Sequence, residues 1–185
     1  MIWVSKQVIR LMARKSIKQI KKDENKILTA LKQNARGSIE DIAKKYQFSR
    51  QKVWRIIKRL EESEEIWGYY TVVDEEKLDR KRFIILIKRS TEPIDNAIQK
   101  IIDLTLHVKG EKLGIEVEAS SYLHGRYDWI FIITAEDIKN VKRFTHLLTK
   151  EYQIWISEVH IIEDIFPVKK CGIVNPHVEK LKEII

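Results

Sequence analysis

From Ser49 to Glu62 the chain reads SRQKVWRIIKRLEE, and its polar residues carry the most specific chemistry in the sequence. Val53, Ile56, Ile57 and Leu60 recur at the spacing of a single helix face. At about 100° per residue, Gln51, Arg55, Lys58 and Glu62 then point away from that face, with Arg50, Lys52 and Arg59 on its flanks. The first turns therefore offer Arg50, Gln51, Lys52 and Arg55 with no acid among them. Glu61, Glu62, Glu64 and Glu65 come only at the far end. A guanidinium fork can grip O6 and N7 of guanine, and a glutamine amide the edge of adenine, when such a helix lies in the major groove. Ser49 is a good N-cap, and with the helix N-terminus it suits a phosphate. Lys44, Lys45, Lys58 and Arg59 suit further phosphates. Trp54 beside the stripe reads as a core-edge residue.

A helix of this kind needs a frame that fixes its rotation. From Asp23, Ile27, Leu28, Ala30 and Leu31 make one face of a preceding helix, which Arg36-Gly37 ends. Ser38-Ile39-Glu40-Asp41 reads as a capping box opening a short helix with Ile39, Ile42, Ala43 and Tyr46 inward. A break at Gln47-Phe48 leads into the Ser49 helix, so residues 23–74 read as a three-helix helix–turn–helix domain. Ile66 to Asp74 reads as a strand with a tight turn at Gly68. Residues 1–22 hold seven basic residues and no acidic one. Val8, Ile9, Leu11 and Met12 give them partial helical periodicity, and they read as a basic helix or arm.

After a linker at 75–81, residues 82–167 alternate strands and helices. The expected elements are a strand at 82–88, a helix from Pro93 carrying Ile94, Ala97, Ile98, Ile101, Ile102 and Thr105, and a loop at 109–114. Strands at 115–123 and 129–134 follow, joined by a turn at His124-Gly125-Arg126-Tyr127-Asp128. A capping box at Thr134 to Asp137 opens a helix carrying Ile138, Val141, Phe144, Leu147 and Leu148, and a strand runs from Ile154 to Phe166. This β-α-β-β-α-β order is ferredoxin-like, so the fold class is α+β. Residues 168–185 read as an extension with a short helix after Pro176.

Charge separates the two halves. The 185 residues carry 35 Lys+Arg and 27 Asp+Glu, a net +8. Residues 1–70 hold 17 of the basic and 8 of the acidic residues, a net +9, and the remainder stands at −1. A basic module joined to a neutral one points to a polyanion-binding part and a part with another task. It also argues against reading the third helix as an ordinary solvated surface. The single cysteine, Cys171, excludes an internal disulfide framework. No stretch approaches a membrane span, and charges at Lys6, Arg10 and Arg14 break any signal-peptide core. The expectation is a cytoplasmic, nucleoid-associated protein.

From Asp23 to Leu78 the residues resemble the Lrp/AsnC (leucine-responsive, feast/famine) transcription regulators. The resemblance rests on Asp23 to Leu28, Leu31 to Arg36, Ile42-Ala43, Ser49, Val53, Arg55 to Glu61, Ile66, Gly68-Tyr69 and Val72 to Asp74. The second half is similar to that family's RAM-type effector and assembly domain, so the resemblance covers roughly residues 23–168. It implies a winged helix–turn–helix domain, double-stranded DNA as partner, and a homodimer that can build tetramers or octamers. It also implies a small-molecule effector, usually an amino acid, near the glycine turn. His124, Gly125, Tyr127 and Asp128 would then line its pocket, with Asp128 facing a ligand ammonium; capping of local backbone is the plainer role for Asp128. His124 stands where the family usually has a small hydroxyl residue, and both ends carry extensions.

No HExxH, Walker A, GxSxG or CxxC pattern occurs. His107, His124, His146, His160 and His177 are scattered without metal-ligand spacing. No catalytic residue, cofactor or metal is expected. Two other readings stay open: an architectural DNA coater, and an enzyme of the haem-biosynthesis decarboxylase type that shares the fold without binding DNA.

Overall fold

The computed structural model describes residues 2–93 and 95–185, with side chains over 16–93 and 97–185. Two compact units emerge: residues 1–72 with 169–176, and residues 73–168 with 177–185.

In the first unit α1 (Ile2–Gln33), α2 (Ile39–Tyr46) and α3 (Arg50–Glu62) enclose one core. Ile27, Ala30, Ile42, Ala43, Val53, Ile56 and Leu60 are buried in it, and Leu28, Leu31, Ile39, Tyr46, Phe48, Ile57 and Ile66 pack around them. The expected capping box is present. Asp41 N–H donates to Ser38 Oγ at 3.0 Å, and Ser38 N–H donates to Asp41 Oδ2 at 3.3 Å. These bonds from Ser38 hold the Asp41 carboxyl below its usual range. At the head of α3, Lys52 N–H donates to Ser49 Oγ at 3.2 Å.

Three local expectations are corrected. First, α1 runs unbroken through Lys22-Asp23, because no glycine or proline interrupts residues 1–36. The side chains of Val8, Ile9, Leu11 and Met12 lie outside the described residues. Second, residues 66–74 form no strand. A strand needs a neighbour for its ladder, and strand propensity alone supplies none. Third, the left-handed residue after α3 is Glu64 at φ 57°, where Ile66 N–H donates back to Leu60 O at 3.0 Å; Gly68 has no positive φ.

The second unit is a four-stranded antiparallel sheet. Its strands are β1 (Lys81–Arg89), β2 (Glu116–Tyr122), β3 (Trp129–Ala135) and β4 (Ile156–Asp164), in the order β2-β3-β1-β4. Helices α4 (Asp95–Ile102), α5 (Thr105–Glu111) and α6 (Ile138–Glu151) complete the unit. The observed order is the expected β-α-β-β-α-β, with the first helix divided. The division falls at Leu104, which takes a left-handed φ of 51°. Neither glycine nor proline marks that point in the sequence. Ile94 lies outside the described residues.

The core comes from one face of β1 and β3, with Phe83, Ile85, Ile87, Trp129, Phe131 and Ile133, closed by Val141, Phe144 and Leu148 of α6. Phe131 stands edge-on to Phe144 at 6.0 Å. At position 110 a Cβ would meet the Phe144 ring at 3.0 Å, so glycine lets that ring approach the α5 backbone closely. The N-cap of α6 is Asp137, whose carboxylate accepts from Asn140 N–H at 2.9 Å. The expected cap, Thr134, is instead a buried residue of β3. Its hydroxyl accepts from Arg80 Nε at 3.1 Å, and Arg80 Nη2 donates to the Thr134 and Gly114 carbonyls at 2.8 and 3.1 Å.

The other sheet face carries Arg82, Ile84, Leu86 and Lys88 of β1, aligned with Ile130 and Ile132 of β3 and with His160, Ile162 and Asp164 of β4. Arg82 reaches Glu118 at 2.9 Å and Asp164 at 2.5 Å. Burial alone would lower this guanidinium, and the two carboxylates reverse that and hold it raised. Beyond the sheet, β5 (Lys169–Lys170) and β6 (Ile173–Val174) form a small hairpin that clusters with the first unit, and α7 (Leu181–Ile184) closes the chain.

Phe144→Ala should cost about 3–5 kcal/mol in urea unfolding, because it opens a cavity at the centre of this core. His107 lies against Phe131 at 6.4 Å, and burial lowers its pKa below 6.5, with Glu111 opposing. The unfolded chain therefore binds the extra proton first. Stability should fall as pH drops below about 6.5, and His107→Gln should flatten that fall. An equal slope in both proteins would remove His107 from the acid response.

Candidate nucleic-acid interface

The rotation of α3 is set from below and from one side. Val53, Ile56 and Leu60 are buried in the core. On the flank facing α1, Lys52 Nζ donates to Asp23 Oδ2 at 2.6 Å and sits 4.0 Å over the Phe48 ring. Arg59 forms an ion pair with Glu24 in the same way. Asp23 is only 5% exposed, and its hydrogen bond from Lys52 holds its carboxyl below the usual range against the cost of burial. Two of the residues proposed for DNA, Lys52 and Arg59, thus tie α3 to α1. The signal that could have found this is the Asp23-Glu24 pair itself, acidic residues at the point where a wholly basic stretch ends.

The rest of the exposed row is differently engaged. Arg50, Gln51 and Arg55 are exposed, and Arg55 Nε leans back on the Gln51 carbonyl at 3.4 Å. Lys58 stacks 5.3 Å over the Trp54 ring and pairs with Glu62 at 3.7 Å. Trp54 is 52% exposed, and its ring serves as a platform for a cation. Lys44 pairs with Glu40 at 3.4 Å, an exposed contact worth little. Lys45 donates to Gln33 Oε1 at 3.1 Å. A groove of about 550 Å³ runs between α1 and α3, lined by Ile20, Asp23, Trp54, Arg55 and Lys58 among others. Arg50, Gln51 and Arg55 are therefore the exposed residues in the first half of α3 that carry no carboxylate contact.

At the glycine turn of the second unit, His124 and Gly125 are exposed. A Cβ on Gly125 would meet nothing, so crowding does not require glycine there. Tyr127 stands edge-on to His160 at 5.5 Å, with the Arg126 guanidinium 5.7 Å from its ring. Asp128 Oδ2 accepts from Arg89 N–H at 2.8 Å, and Asp128 N–H donates to Ile87 O at 2.9 Å. Asp128 thus locks the turn to the end of β1. Among the described residues no cluster of three or more His, Cys, Asp or Glu could hold a metal ion, and no helix is long and apolar enough to cross a membrane.

Asp23→Asn should destabilise the first unit by about 1–2 kcal/mol, since it weakens a charge-assisted bond to a half-exposed lysine. The Asp23 pKa is depressed when folded, so its contribution is present above pH 3.8 and lost as pH falls through the lower folded value. The gap in urea midpoint between wild type and variant should close in acid. A gap that persists unchanged down to pH 3 would contradict this role for the pair.

Residues 24–64 match the family model for winged helix–turn–helix DNA-binding domains. None of the curated protein sequences matches the chain significantly. Three solved structures share its architecture. PH0061 is 22% identical over 80% of this chain and 94% of its own, with a TM-score of 0.65. The AsnC family transcriptional regulator of Agrobacterium tumefaciens is 20% identical over 80% of this chain and 92% of its own, with a TM-score of 0.60. The Neisseria meningitidis regulator NMB0573, solved as a complex with L-Met, is 17% identical over 84% of this chain and 96% of its own, with a TM-score of 0.62. The chain thus matches winged helix–turn–helix DNA-binding domains over residues 24–64 and has, over most of its length, the fold of AsnC-family transcriptional regulators.

Proposed function

We propose that the protein is a sequence-specific DNA-binding transcription regulator that works as a dimer or larger assembly on the nucleoid, and that it is not an enzyme. The observation that carries this reading is the first half of α3. Its apolar stripe is buried and its flank is pinned to α1, while Arg50, Gln51 and Arg55 stand outward with no acid beside them. Such a row reads base edges, and the surrounding positive charge supplies the phosphate affinity. An enzyme that had abandoned DNA would have no use for it.

The sheet face opposite α6 supports a homodimer. Ile84, Leu86, Ile130 and Ile132 are half-buried there and Ile162 is 45% exposed. An apolar patch of this kind, rimmed by charges such as Arg82 and Lys88, fits the same face of a second copy. Two helix–turn–helix units held in this way would read half-sites one or more helical turns apart. Further assembly would raise affinity by linking sites. The L-Met bound to the Neisseria protein makes free amino acids the effector class to test. The turn at His124, Gly125, Tyr127 and Asp128 is where such a molecule would sit.

Selection of bound duplexes from a random pool, at about 0.15 M salt, should recover a partly palindromic site. Arg55→Ala and Gln51→Ala should each relax preference at particular positions, by about 1–3 kcal/mol per base contact. Lys58→Ala should weaken all sequences alike and lower the salt dependence. Binding without an enriched motif would favour an architectural coater, and no binding would favour the enzyme-like reading. Unchanged selectivity in Arg55→Ala would misplace the reading row.

A further inference from the structure

The 16–22 segment of α1 is exposed at every residue, whereas from Asp23 onward the same helix is seated by Asp23, Ile27 and Ala30. The helix continues back to Ile2, about 30 Å beyond the seated part at 1.5 Å per residue. A helix without tertiary packing is marginal in water. This one has a further cost, since Lys18 and Lys22 stand four residues apart on one face and repel. Residues 1–22 hold no acid to offset it. Among the described residues, Lys18, Lys21 and Lys22 form no ion pair with a carboxylate.

The segment also lies beside the reading row. Ile20 lines the same groove as Trp54, Arg55 and Lys58. That groove is floored by Ile56, bounded by Lys52 and Arg59 on the flank facing α1, and reaches Trp54, Arg55, Lys58 and Glu62 of the exposed side of α3. A duplex laid on the outward row of α3 therefore has residues 16–22 alongside. What those residues present to it is three lysines and two exposed apolar side chains, Ile17 and Ile20. A polyanion would remove the repulsion between the lysines, and the nearby carboxylates of Asp23, Glu24 and Glu62 are already paired with Lys52, Arg59 and Lys58.

We propose that residues 16–22 of α1 form a second DNA-contacting element, in which Lys18, Lys21 and Lys22 bind phosphates of the duplex flanking the site read by α3. This rests on the DNA-binding reading above. The element adds affinity and salt dependence but carries no base preference, because lysine contacts to the sugar–phosphate chain are sequence-blind.

The test uses the full-length protein and its selected site, in a long duplex with flanks and in a short one trimmed to the half-sites. Kd is measured between 50 and 200 mM salt for wild type, for the triple variant Lys18→Ala, Lys21→Ala, Lys22→Ala, and for the matching triple arginine variant. The three positions are solvent-facing and alanine favours helix, so folding is preserved. On the long duplex the alanine variant should lose about 2–3 units of the slope of log K against log salt, at about 0.9 per phosphate. On the short duplex it should match wild type. Arginine should restore the slope, and the selected motif should be the same in all three. An alanine variant with the wild-type slope on the long duplex would overturn the proposal while leaving the DNA-binding reading intact. So would a change in the mass of the assembly without a change in slope, which would make the segment a contact between copies. Failure of wild type to bind any duplex would remove the parent reading, and this one with it.

Discussion

The rotation of α3 about its own axis is the constraint on which the first unit depends. Three buried side chains, Val53, Ile56 and Leu60, turn one face of the helix inward. Two ion pairs, Lys52 to Asp23 and Arg59 to Glu24, then fix the flank that meets α1. With the inner face and one flank held, the remaining arc is determined, and Arg50, Gln51 and Arg55 occupy it. An error of one residue in that rotation would move each side chain by about 100° and bury a guanidinium in place of an isoleucine, at a prohibitive desolvation cost. The positions on α3 therefore divide by physical cause, with hydrophobic burial on one side, charge-assisted anchoring on the flank, and solvated cations outward.

The second unit answers a different problem, that of building a sheet with one face covered. The covered face is set by β1 and β3, whose alternate residues meet α6, and by the tight approach of Gly110 to Phe144. On the other face the Arg82 guanidinium of β1 bridges Glu118 of β2 and Asp164 of β4, a link that spans the four-stranded sheet. Such a bridge is weak evidence for stability, because desolvation consumes much of its attraction. It does fix which residues lie opposite one another, as a one-residue slip would strand the guanidinium. Asp128 does the same for the turn at the sheet end by holding the Arg89 amide.

Much of this was legible in the sequence because it is local. The period of Val53, Ile56, Ile57 and Leu60, the Ser38–Asp41 box, and the alternation in β1 each lie within one element. The three-helix helix–turn–helix and the α+β order follow from them. What was not legible depends on partners distant in the chain. The ion pairs of Lys52 and Arg59 were not legible because their carboxylates lie 29 and 35 positions earlier, on another helix. Residues 66–74 have the composition of a strand, and whether they form one depends on a neighbour that composition does not reveal. The break at Leu104 carries no glycine, and Thr134 resembled a cap until β3 was seen to extend one residue past it. Asp128 reads in the sequence as a turn residue capping local backbone, and the backbone amide it holds belongs to Arg89, 39 residues away on a strand.

The division of α3 into anchored and unanchored positions bears on how such a protein could change over time. Substitution at 52, 53, 56, 59 or 60 touches a core contact or an ion pair, so most changes there would be tested first by folding. Substitution at 50, 51 or 55 alters no buried contact and breaks no ion pair. Under the proposed reading, a new target preference can therefore arise there one residue at a time, with little penalty in stability along the way. The Asp23 and Glu24 anchors hold the helix in place and so leave the outward row of α3 free to vary.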